Sequence, residues 1–458
     1  MTDISHRPDE LASDGPSDGG SDGRRAVARG GRARHIRRII ARLAAIAVCT
    51  LVLIVAGAGA LLFEQFNSNL EKVPITGNGT EKPDAFGRTP INVLVIGTDS
   101  RTTAQDCRLG GDCGSGPGNA DVEMIVHVAA DRSNATVMSI PRDTVTELPA
   151  CTDPTTGRTV PARAGMINSA LAYGPACQVA AVHQVTGIPV DHFMMADFSG
   201  VVNMSNTVGG VPLCVNADVY DTYSHLKLSK GTHTLKGVSA LEFLRTRHGF
   251  GDGSDLGRTV AQHTYLASLI RTLESAGTLT DPAALYGVVN AASKALTVDN
   301  GLGSITKLLG FASDVSKVPS GRITFVTMQT LPDPDNADRV VVAPAAKSLF
   351  DAIANDQPLT TGASASPSPS PSGGSHAQAA MRPDAANSTS SASPSTSPSA
   401  SPSPSVAATA VTAGSSAQTG DQNTCAQVGT EDTVEVNGVS MTPSQAYAAS
   451  PGVPNSAP

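Results

Sequence analysis

Residues 91–101 read Ile-Asn-Val-Leu-Val-Ile-Gly-Thr-Asp-Ser-Arg, a short apolar run that ends in glycine and is followed by polar residues. A run of this length is typical of a buried β-strand. Residues 122–129 (VEMIVHVA) and 135–140 (ATVMSI) have the same character, and Asp131-Arg-Ser-Asn134 is the predicted turn between them. These strands predict a sheet around which the rest of the chain is arranged.

Helices are predicted further along the chain, together with a late strand at 323–328. The predicted helices cover residues 167–172, 176–186, 197–208, 237–243, 256–275, 283–297 and 344–355. Strands that alternate with helices indicate an α/β (or α+β) sandwich, in which helices flank a central mixed β-sheet around one core. We therefore expect one folded domain over about residues 88–357.

The N-terminal part of the chain predicts a single membrane span. Residues 43–63 carry no charge, and a helix of that length is about 30 Å long, the thickness of the hydrocarbon core. The arginine-rich, disordered tail at 1–42 should stay in the cytoplasm, which places the stem at 64–87 and everything after it outside. The alternative is a signal peptide cleaved at Ala56-Gly57-Ala58. The apolar run is longer than is usual for such a segment, which favours a retained anchor.

Low-complexity sequence follows the predicted domain. Residues 358–424 are rich in Ser, Pro, Ala and Thr, so they cannot form a core and predict a disordered linker. Outside the cell, such a tract is either an O-glycosylated stalk or an unmodified tail that crosses the cell wall. Residues 425–458 are too short for a domain, and we expect a chain cut after residue 360 to keep its activity.

Charge and cysteine content exclude some classes of protein. The formal net charge is -8, which argues against a general nucleic-acid-binding protein because such proteins carry a basic surface. No CxxC pair and no Cys/His spacing typical of zinc is present. The even number of cysteines outside the span suggests disulfides in an oxidising compartment. Cys107–Cys113 is the first candidate pair and Cys151–Cys177 is the second.

Acidic side chains stand at the ends of the predicted strands. Asp99 follows the first strand and Asp121 directly precedes the second. Because α/β proteins bind ligands in loops at strand ends, the two carboxylates are expected to meet at one sheet edge. Carboxylates without a nearby His or Cys suit a hard cation such as Mg²⁺; the alternative is that both only cap turns. Arg142 and Asp143 follow the third strand, where the alternative to ligand binding is a surface ion pair of little energetic value.

The most informative segment is cationic and begins just before Arg245. It reads Phe-Leu-Arg-Thr-Arg-His-Gly-Phe-Gly-Asp-Gly-Ser-Asp-Leu-Gly-Arg over residues 243–258, followed by Gln262. Arg245 and Arg247 face the same way in an extended chain. Asp255 is a good N-cap for the next helix, on which Arg258 and Gln262 share one face. Because arginine matches phosphate oxygens in bidentate geometry, the segment predicts a phosphate site; a solvated basic loop is the alternative.

The chain resembles the LytR-CpsA-Psr family over about residues 88–275. The resemblance lies in a series of motifs in consistent order: GTDSR, NADVEMI, SIPRDT, INSALAYG, TGIPVDHF, TVGGVPLCV and ALEFLRTRH…GDGSDLGR…Q. It implies a membrane-anchored, extracytoplasmic phosphotransferase that moves an anionic glycopolymer from a polyprenyl-pyrophosphate carrier onto a peptidoglycan hydroxyl. It also implies a hydrophobic groove for the polyprenyl chain, for which the apolar residues of 176–186 and 197–208 are candidates.

The resemblance also implies roles for individual residues. Asp99 and Asp121 match the magnesium ligands of the family, and one aspartate is the expected proton acceptor, without an indication of which. The side chains that match its pyrophosphate contacts are Arg101, Arg142, Arg245, Arg247, Arg258 and Gln262. Asp255 matches the acidic residue ahead of the helix arginine, and Asp143 is a further supporting residue.

Two positions depart from the family pattern and keep other functions open. Asn119 and Ala261 stand where the family usually has arginine. The pocket is therefore less positive than in a typical member, which implies a less charged substrate or a weaker activity. One alternative function is a polyprenyl-pyrophosphate pyrophosphatase or phosphatase that uses water as its acceptor. The other is a non-catalytic membrane protein that binds the wall or has a regulatory role.

Overall fold

A computed structural model describes residues 22–75, 78–110, 113–114, 116–251, 253, 255–275, 282–359 and 417–456. The chain divides into two units, residues 1–65 and 66–458. Residues 22–65 of helix α1 (Asp22–Asn69) make up the described part of the first unit. Within the described residues, Arg37–Asn69 is the one helical stretch that is long and apolar enough to cross a membrane.

Helix α1 begins about twenty residues before the predicted span. The prediction of a disordered tail is therefore wrong for residues 22–42, while residues 1–21 lie outside the described part of the chain. The reason is composition: Arg, Ala and Ile dominate this stretch, and Ala and Arg are among the best helix formers, so the basic flank continues the apolar helix.

The second unit is built from short helices and strands. Its helices are α2 (Ala104–Gly110), α3 (Pro175–Thr186), α4 (Phe198–Thr207), α5 (Val238–Arg245), α6 (Asp255–Ser275), α7 (Pro282–Ala295), α8 (Ile305–Val315), α9 (Ala346–Ala354) and α10 (Pro443–Ala449), with 3-10 helices at Ile167–Tyr173 and Ser320–Arg322. Its strands are β1 (Glu71–Val73), β2 (Ile91–Thr98), β3 (Ala120–Val128), β4 (Ala135–Ser139), β5 (Thr144–Leu148), β6 (Cys151–Thr152), β7 (Thr159–Val160), β8 (Arg163–Met166), β9 (His192–Ala196), β10 (Val211–Val215), β11 (Val219–Tyr220), β12 (Lys227–Leu228), β13 (Gly231–Leu235), β14 (Leu296–Asp299), β15 (Ile323–Thr327), β16 (Thr330–Asp333), β17 (Asn336–Val342), β18 (Ala417–Thr419), β19 (Val434–Val436) and β20 (Val439–Met441).

The central sheet is mixed, as predicted, and has the strand order β1-β14-β9-β2-β3-β4-β15-β18. The pairs β2–β9, β4–β15 and β1–β14 are parallel, whereas β2–β3, β3–β4, β9–β14 and β15–β18 are antiparallel. A second sheet has the order β16-β17-β5-β8. Because β2 and β9 run in the same direction, the loops that follow them leave the sheet at the same edge.

Hydrophobic clusters cover both faces of the central sheet. On one face Leu94 and Ile125 pack with Val182 of α3 and Leu349 of α9. On the other face Phe325 of β15 belongs to a cluster that includes residues of α6 and α8. A third cluster joins β10, β13, α5 and α6. Helices therefore flank the sheet on both sides, as the alternation of strands and helices predicted.

Several local predictions differ from the structure. Residues 167–172 form a 3-10 helix, and the helix predicted to end at 297 ends at Ala295 because Leu296 begins β14. Strand β9 and helix α8 were not predicted from the sequence. Strand β18 lies within the segment predicted to be a linker, whose residues 360–416 lie outside the described part.

The C-terminal segment, residues 417–456, packs onto the folded unit, which the prediction that residues 425–458 are too short for a domain did not anticipate. Strand β18 extends the central sheet beside β15. A disulfide joins Cys425 to Cys214 on β10. Lys227 is buried and its Nζ donates to the carbonyl oxygens of Ser450 and Val453, the latter at 2.6 Å. The segment therefore gains its stability from the core of the unit, which is why its own length did not predict structure.

Candidate active site

The two aspartates predicted at strand ends lie on the paired ends of β2 and β3. Thr98 pairs with Ala120, with an irregular register between Gly97 and Thr98. Directly beyond, the backbone N–H of Asn119 donates to Asp99 Oδ1 at 2.7 Å, and the N–H of Asp99 donates to the Asn119 carbonyl at 3.3 Å. The β2–β3 pairing therefore brings Asp99 close to the start of β3, where Asp121 lies.

Arg142 and Asp143 connect these acids to the arginine segment. Arg142 Nη1 donates to Asp121 Oδ1, and its Nε lies 3.5 Å from Asp143 Oδ2. Asp143 Oδ2 also lies 3.8 Å from Nη2 of Arg247. The prediction that Arg142 and Asp143 merely form a surface pair is therefore excluded, because both are part of one network of alternating charges.

Arg245 ends α5 and points its guanidinium into the same network. Its Cζ stacks over the Phe198 ring at 4.7 Å, and Nη1 donates to the Leu109 carbonyl at 3.2 Å. Burial lowers the pKa of Arg245, an effect that Asp121 and Asp99 oppose and Arg101 reinforces. These electrostatic interactions show that the predicted acids and arginines converge around one side chain.

The Arg101 side chain also lies near Arg245, and it packs closely against Gly110. A Cβ on Gly110 would lie 2.6 Å from Arg101 Nε and 2.9 Å from Phe198 Cε2. Any larger residue at 110 would displace these side chains. Gly110 is therefore needed for Arg101 and the Phe198 ring to pack beside Arg245.

Helix α6 supplies the deepest members of the site. Arg258 is only 6% exposed, and its Nη2 donates to the Asp121 carbonyl at 3.1 Å. Gln262, one turn later, donates from Nε2 to the Leu244 carbonyl at 3.3 Å, so it also fixes the end of α5. Helix α6 begins at Asp255, one residue before the predicted start at 256, and the Asp255 side chain, predicted as the N-cap, lies outside the described part of the chain.

The two positions that depart from the family pattern lie outside this cluster of side chains. Asn119 is exposed and contributes its backbone N–H to Asp99. Ala261 is 1% exposed and packs in the third hydrophobic cluster with Phe243 and Phe250. Neither lines the cavity described next, so the local positive charge comes from the remaining arginines.

The charged cluster forms one end of a cavity of about 480 Å³. Its charged lining residues in the described part of the chain are Arg142, Arg245, Arg247, Arg258, Asp121 and Asp197. Its apolar lining comes from the sheet, α4, α5 and α6 and includes Val95, Val122, Met124, Val201, Met204, Leu244, Leu266 and Leu269. The cavity therefore combines a cationic end with an apolar groove. Asp99 and Arg101 are not among the lining residues.

The groove prediction is half correct. Phe198, Val201 and Met204 of α4 line the cavity, as predicted. The valines of α3 do not: Val179 and Val182 are completely buried in the core on the other face of the sheet. Both helices have apolar faces, and only the sheet topology determines which of them faces the cavity.

Asp197 holds the α4 end of the groove. Its Oδ1 accepts hydrogen bonds from Gly200 N at 2.8 Å and Ser199 Oγ at 3.0 Å, which caps α4. Burial raises the pKa of Asp197, and the nearby Asp106 adds to the effect. Asp197 was not predicted as a site residue, although an aspartate directly before a helix is a standard capping signal.

Sequence reasoning also missed His248. It lines the cavity next to Arg247, and its Nδ1 lies 2.5 Å from Asp432 Oδ2 of the C-terminal segment. Its position inside the arginine segment was a signal that could have identified it. No sequence signal indicated Asp432, which is 184 residues away.

Both predicted disulfides are present. Cys107 pairs with Cys113 and Cys151 pairs with Cys177. The first closes the loop that follows α2, next to Arg101. The bond from Cys425 to Cys214 is a third disulfide, and these bonds agree with the oxidising compartment predicted from cysteine usage.

Comparison with known proteins matches most of the chain to one family. The sequence model of the LytR_cpsA_psr family matches residues 64–355. "Cell wall biosynthesis protein LcpA" of Corynebacterium glutamicum is 32% identical over 311 residues, which cover 61% of this chain and 58% of that protein. "Polyisoprenyl-teichoic acid--peptidoglycan teichoic acid transferase TagT" of Bacillus subtilis is 25% identical over 60% of this chain and 82% of that protein.

The extent of these matches differs between relatives. The chain spans about half of "Probable cell wall biosynthesis protein LcpB" of Corynebacterium glutamicum, 48% of its length at 31% identity. Among solved structures, the "LytR-Csp2A-Psr enzyme from Actinomyces oris" has a TM-score of 0.47 and 22% identity, and covers 62% of this chain and 96% of its own. Since the family match alone extends over well over half of the sequence and includes every arginine of the site, the chain belongs to the LytR_cpsA_psr family.

Proposed function

We propose that the protein is an extracytoplasmic phosphotransferase that attaches an anionic glycopolymer from a polyprenyl-pyrophosphate carrier to a peptidoglycan hydroxyl. The observation that carries this proposal is the cavity, in which a cationic end continues into an apolar groove. A polyprenyl pyrophosphate fits this arrangement because its anionic pyrophosphate is joined to an apolar prenyl chain. The relatives named as teichoic acid transferases support the same reaction class.

The charged end matches a pyrophosphate diester in charge. Four arginines against two aspartates line the described part of the cavity. Such a diester carries about two negative charges, which repel an attacking hydroxyl, and phosphoryl transfer is accelerated mainly by positioning and electrostatic stabilisation. Arg245, Arg247 and Arg258 would hold the non-bridging oxygens, and Gln262 would keep α5 in register with α6.

The leaving group is the polyprenyl phosphate in the apolar groove. The acceptor oxygen forms a bond to the sugar-linked phosphorus, and the bond from that phosphorus to the bridging oxygen breaks. The sugar-linked phosphate stays on the product as a phosphodiester. Water excluded by Val201, Met204 and Leu266 would otherwise compete as the acceptor.

The predicted magnesium ion fits the side chains present. Mg²⁺ is usually bound through one or two carboxylates plus substrate phosphates, and Asp99 and Asp121 are two such donors beside the arginines. Among the described residues no group of three or more His, Cys, Asp or Glu side chains forms a metal site. Asp99 and Asp121 would therefore hold the ion together with the substrate, and the ion would neutralise charge on the phosphate oxygens.

The proposed location follows from the apolar helix and the site. The part of α1 at Arg37–Asn69 would anchor the chain in the cell membrane. The arginine-rich flank favours a cytoplasmic N-terminus, with the domain at residues 66–359 outside, where carrier and peptidoglycan meet. The net charge of -8 gives no reason to add nucleic acid as a partner.

The test is product analysis with the purified full-length chain in detergent. It is given a polyprenyl-pyrophosphate glycan with Mg²⁺, in the presence and absence of peptidoglycan. The proposal predicts polyprenyl phosphate and a peptidoglycan-linked phosphodiester, formed only with the acceptor. Equal release of polyprenyl phosphate without peptidoglycan would indicate a pyrophosphatase, and no turnover in either case would indicate a binding or regulatory protein.

A further inference from the structure

The C-terminal segment is bonded directly to the loop that carries the arginines. The N–H of Gly251 donates to the Gln427 carbonyl, and the N–H of Gly429 donates to the Gly249 carbonyl, both at 3.0 Å. An isolated β-bridge joins Phe250 to Val428 in between. The backbone at residues 249–251, just after Arg247, is therefore held by residues almost two hundred positions later in the chain.

This contact holds the ring of His248 in one orientation. Its Nδ1 lies 2.5 Å from Asp432 Oδ2, and its ring packs on Tyr223 with 4.6 Å between ring centroids. Its backbone N–H donates to Asp221 Oδ2 at 3.2 Å. A Cβ on Gly253 would lie 1.9 Å from Asp432 Oδ2, so glycine is required there for the carboxylate to reach the ring.

The orientation leaves one ring nitrogen for chemistry in the cavity. A carboxylate that accepts the Nδ1 proton fixes the neutral tautomer, in which Nε2 is unprotonated and can accept a proton. His248 lines the cavity beside Arg247, which is proposed to hold the pyrophosphate. A histidine oriented by a carboxylate is the arrangement that activates hydroxyl nucleophiles in acyl transfer.

The aspartates at the sheet edge are less suited to this task. Asp121 Oδ1 is paired with Arg142, and Asp99 Oδ1 accepts the N–H of Asn119. Each of these contacts occupies one of the two carboxylate oxygens. Both are also assigned to the magnesium ion in the proposed function.

We infer that His248 is the proton acceptor of the transfer reaction and that Asp432 is its positioning residue. The inference rests on the proposed function. As the acceptor oxygen bonds to the sugar-linked phosphorus, its proton passes to Nε2 of His248, and the bond to the bridging oxygen breaks. Polyprenyl phosphate leaves with the electron pair of that bond. The protonated ring is stabilised by Asp432 and later releases its proton to water.

The test compares full-length variants in the transfer assay. General base catalysis contributes about 10²–10⁴-fold, so His248→Gln is expected to lower kcat at least about a hundredfold. Asp432→Asn is expected to lower kcat about tenfold or more, because the tautomer is no longer fixed. The affinity for a polyprenyl-pyrophosphate analogue should stay within about twofold of the wild type in both. Glu431→Gln, an exposed neighbour with the same loss of charge, should match the wild type.

Chemical rescue separates a base from a structural residue. Added imidazole should restore part of the transfer rate of His248→Gly and leave the wild type and Asp432→Asn unchanged. A His248→Gln variant with the wild-type kcat would overturn the inference while leaving the proposed function intact. The inference would also be overturned if the variants lost carrier binding or unfolded and imidazole did not rescue them. A wild-type chain that transfers no polymer would overturn both.

Discussion

Arg245 and Arg247 are two residues apart, but their surroundings differ. The guanidinium of Arg245 stacks on Phe198 and bonds to the Leu109 carbonyl, so it contributes to packing as well as to charge. The guanidinium of Arg247 is half-buried and lies 3.8 Å from the carboxylate of Asp143. We therefore expect the two side chains to contribute similarly to phosphate binding and differently to stability.

Replacing either arginine by alanine should lower turnover about ten- to hundredfold. The reason is the loss of charge-assisted hydrogen bonds to phosphate, worth roughly 1.5–3 kcal/mol, at about one decade per 1.4 kcal/mol. Lys should rescue only partly because it lacks the planar fork. Arg245→Ala should also lower the melting temperature, whereas Arg247→Ala should not. Transfer rates and thermal melts measure this, with the exposed Arg322→Ala as the control; wild-type rates in both variants would contradict the assignment.

Glu81 provides a prediction about pH that is independent of catalysis. Burial, with a further contribution from Asp191, raises the pKa of Glu81 to about 7. Because the folded state binds this proton more tightly than the unfolded state, its contribution to stability is present below about pH 4.5 and is lost as the pH rises through 7. Glu81→Gln, which keeps an oxygen for Asn92, should melt at a higher temperature than the wild type at pH 8 and at the same temperature at pH 4. An equal shift at both values would contradict this explanation.

At the scale of elements, the sequence predicted those with strong local signals. Strands β2, β3, β4 and β15 are confirmed because each is rich in apolar and β-branched residues. Strand β9 was missed, although it lies inside the central sheet, because His-Phe-Met-Met-Ala contains no β-branched residue and begins with a polar one. The phosphate-binding role of the segment at residues 243–258 was predicted because it depends on residues that are close in sequence. Which of the two apolar helices, α3 or α4, lines the groove depends on the topology of the sheet, and no local sequence pattern indicates that.

The C-terminal segment could not be predicted for a related reason. Its order depends on contacts with β10 and with residues 249–251 after Arg247, and the bond from Cys425 to Cys214 spans 211 residues. Thr324 contacts the chain on both sides of the tract at residues 360–416. It pairs with Thr419 in the sheet, and the Thr324 Oγ1 donates to the Leu359 carbonyl at 3.0 Å. The tract can therefore be shortened without separating the segment from the core.

Cutting the chain after residue 360 should lower both stability and turnover, contrary to the expectation from sequence. It removes β18, the Cys214–Cys425 bond and the contact to His248, and loss of a native disulfide alone typically costs about 2–5 kcal/mol. Deleting only residues 365–410 is the matched control and should leave both properties unchanged. Thermal melts and transfer rates measure the difference. A cut chain with wild-type stability and rate would show that the segment only rests on the surface.

In the whole molecule, the proposed reaction requires the cavity and the arginine-rich flank to lie on opposite sides of the membrane. A periplasm-active reporter fused after residue 360 should be active on the outer side, because the positive flank of the apolar helix stays inside. A cytoplasm-active reporter fused at the same junction is the control and should be inactive. The reverse pattern would place the site on the cytoplasmic side of the membrane, away from both the carrier and the peptidoglycan acceptor.

In the proposed function the cationic end and the apolar groove are one site for one ligand. A crystal structure of the protein with a polyprenyl-pyrophosphate analogue tests this directly. We expect the two phosphates to contact Arg245, Arg247 and Arg258 and the prenyl chain to lie between α4 and α6, against Met204 and Leu266. Phosphates bound away from these arginines, or a prenyl chain outside the groove, would contradict it.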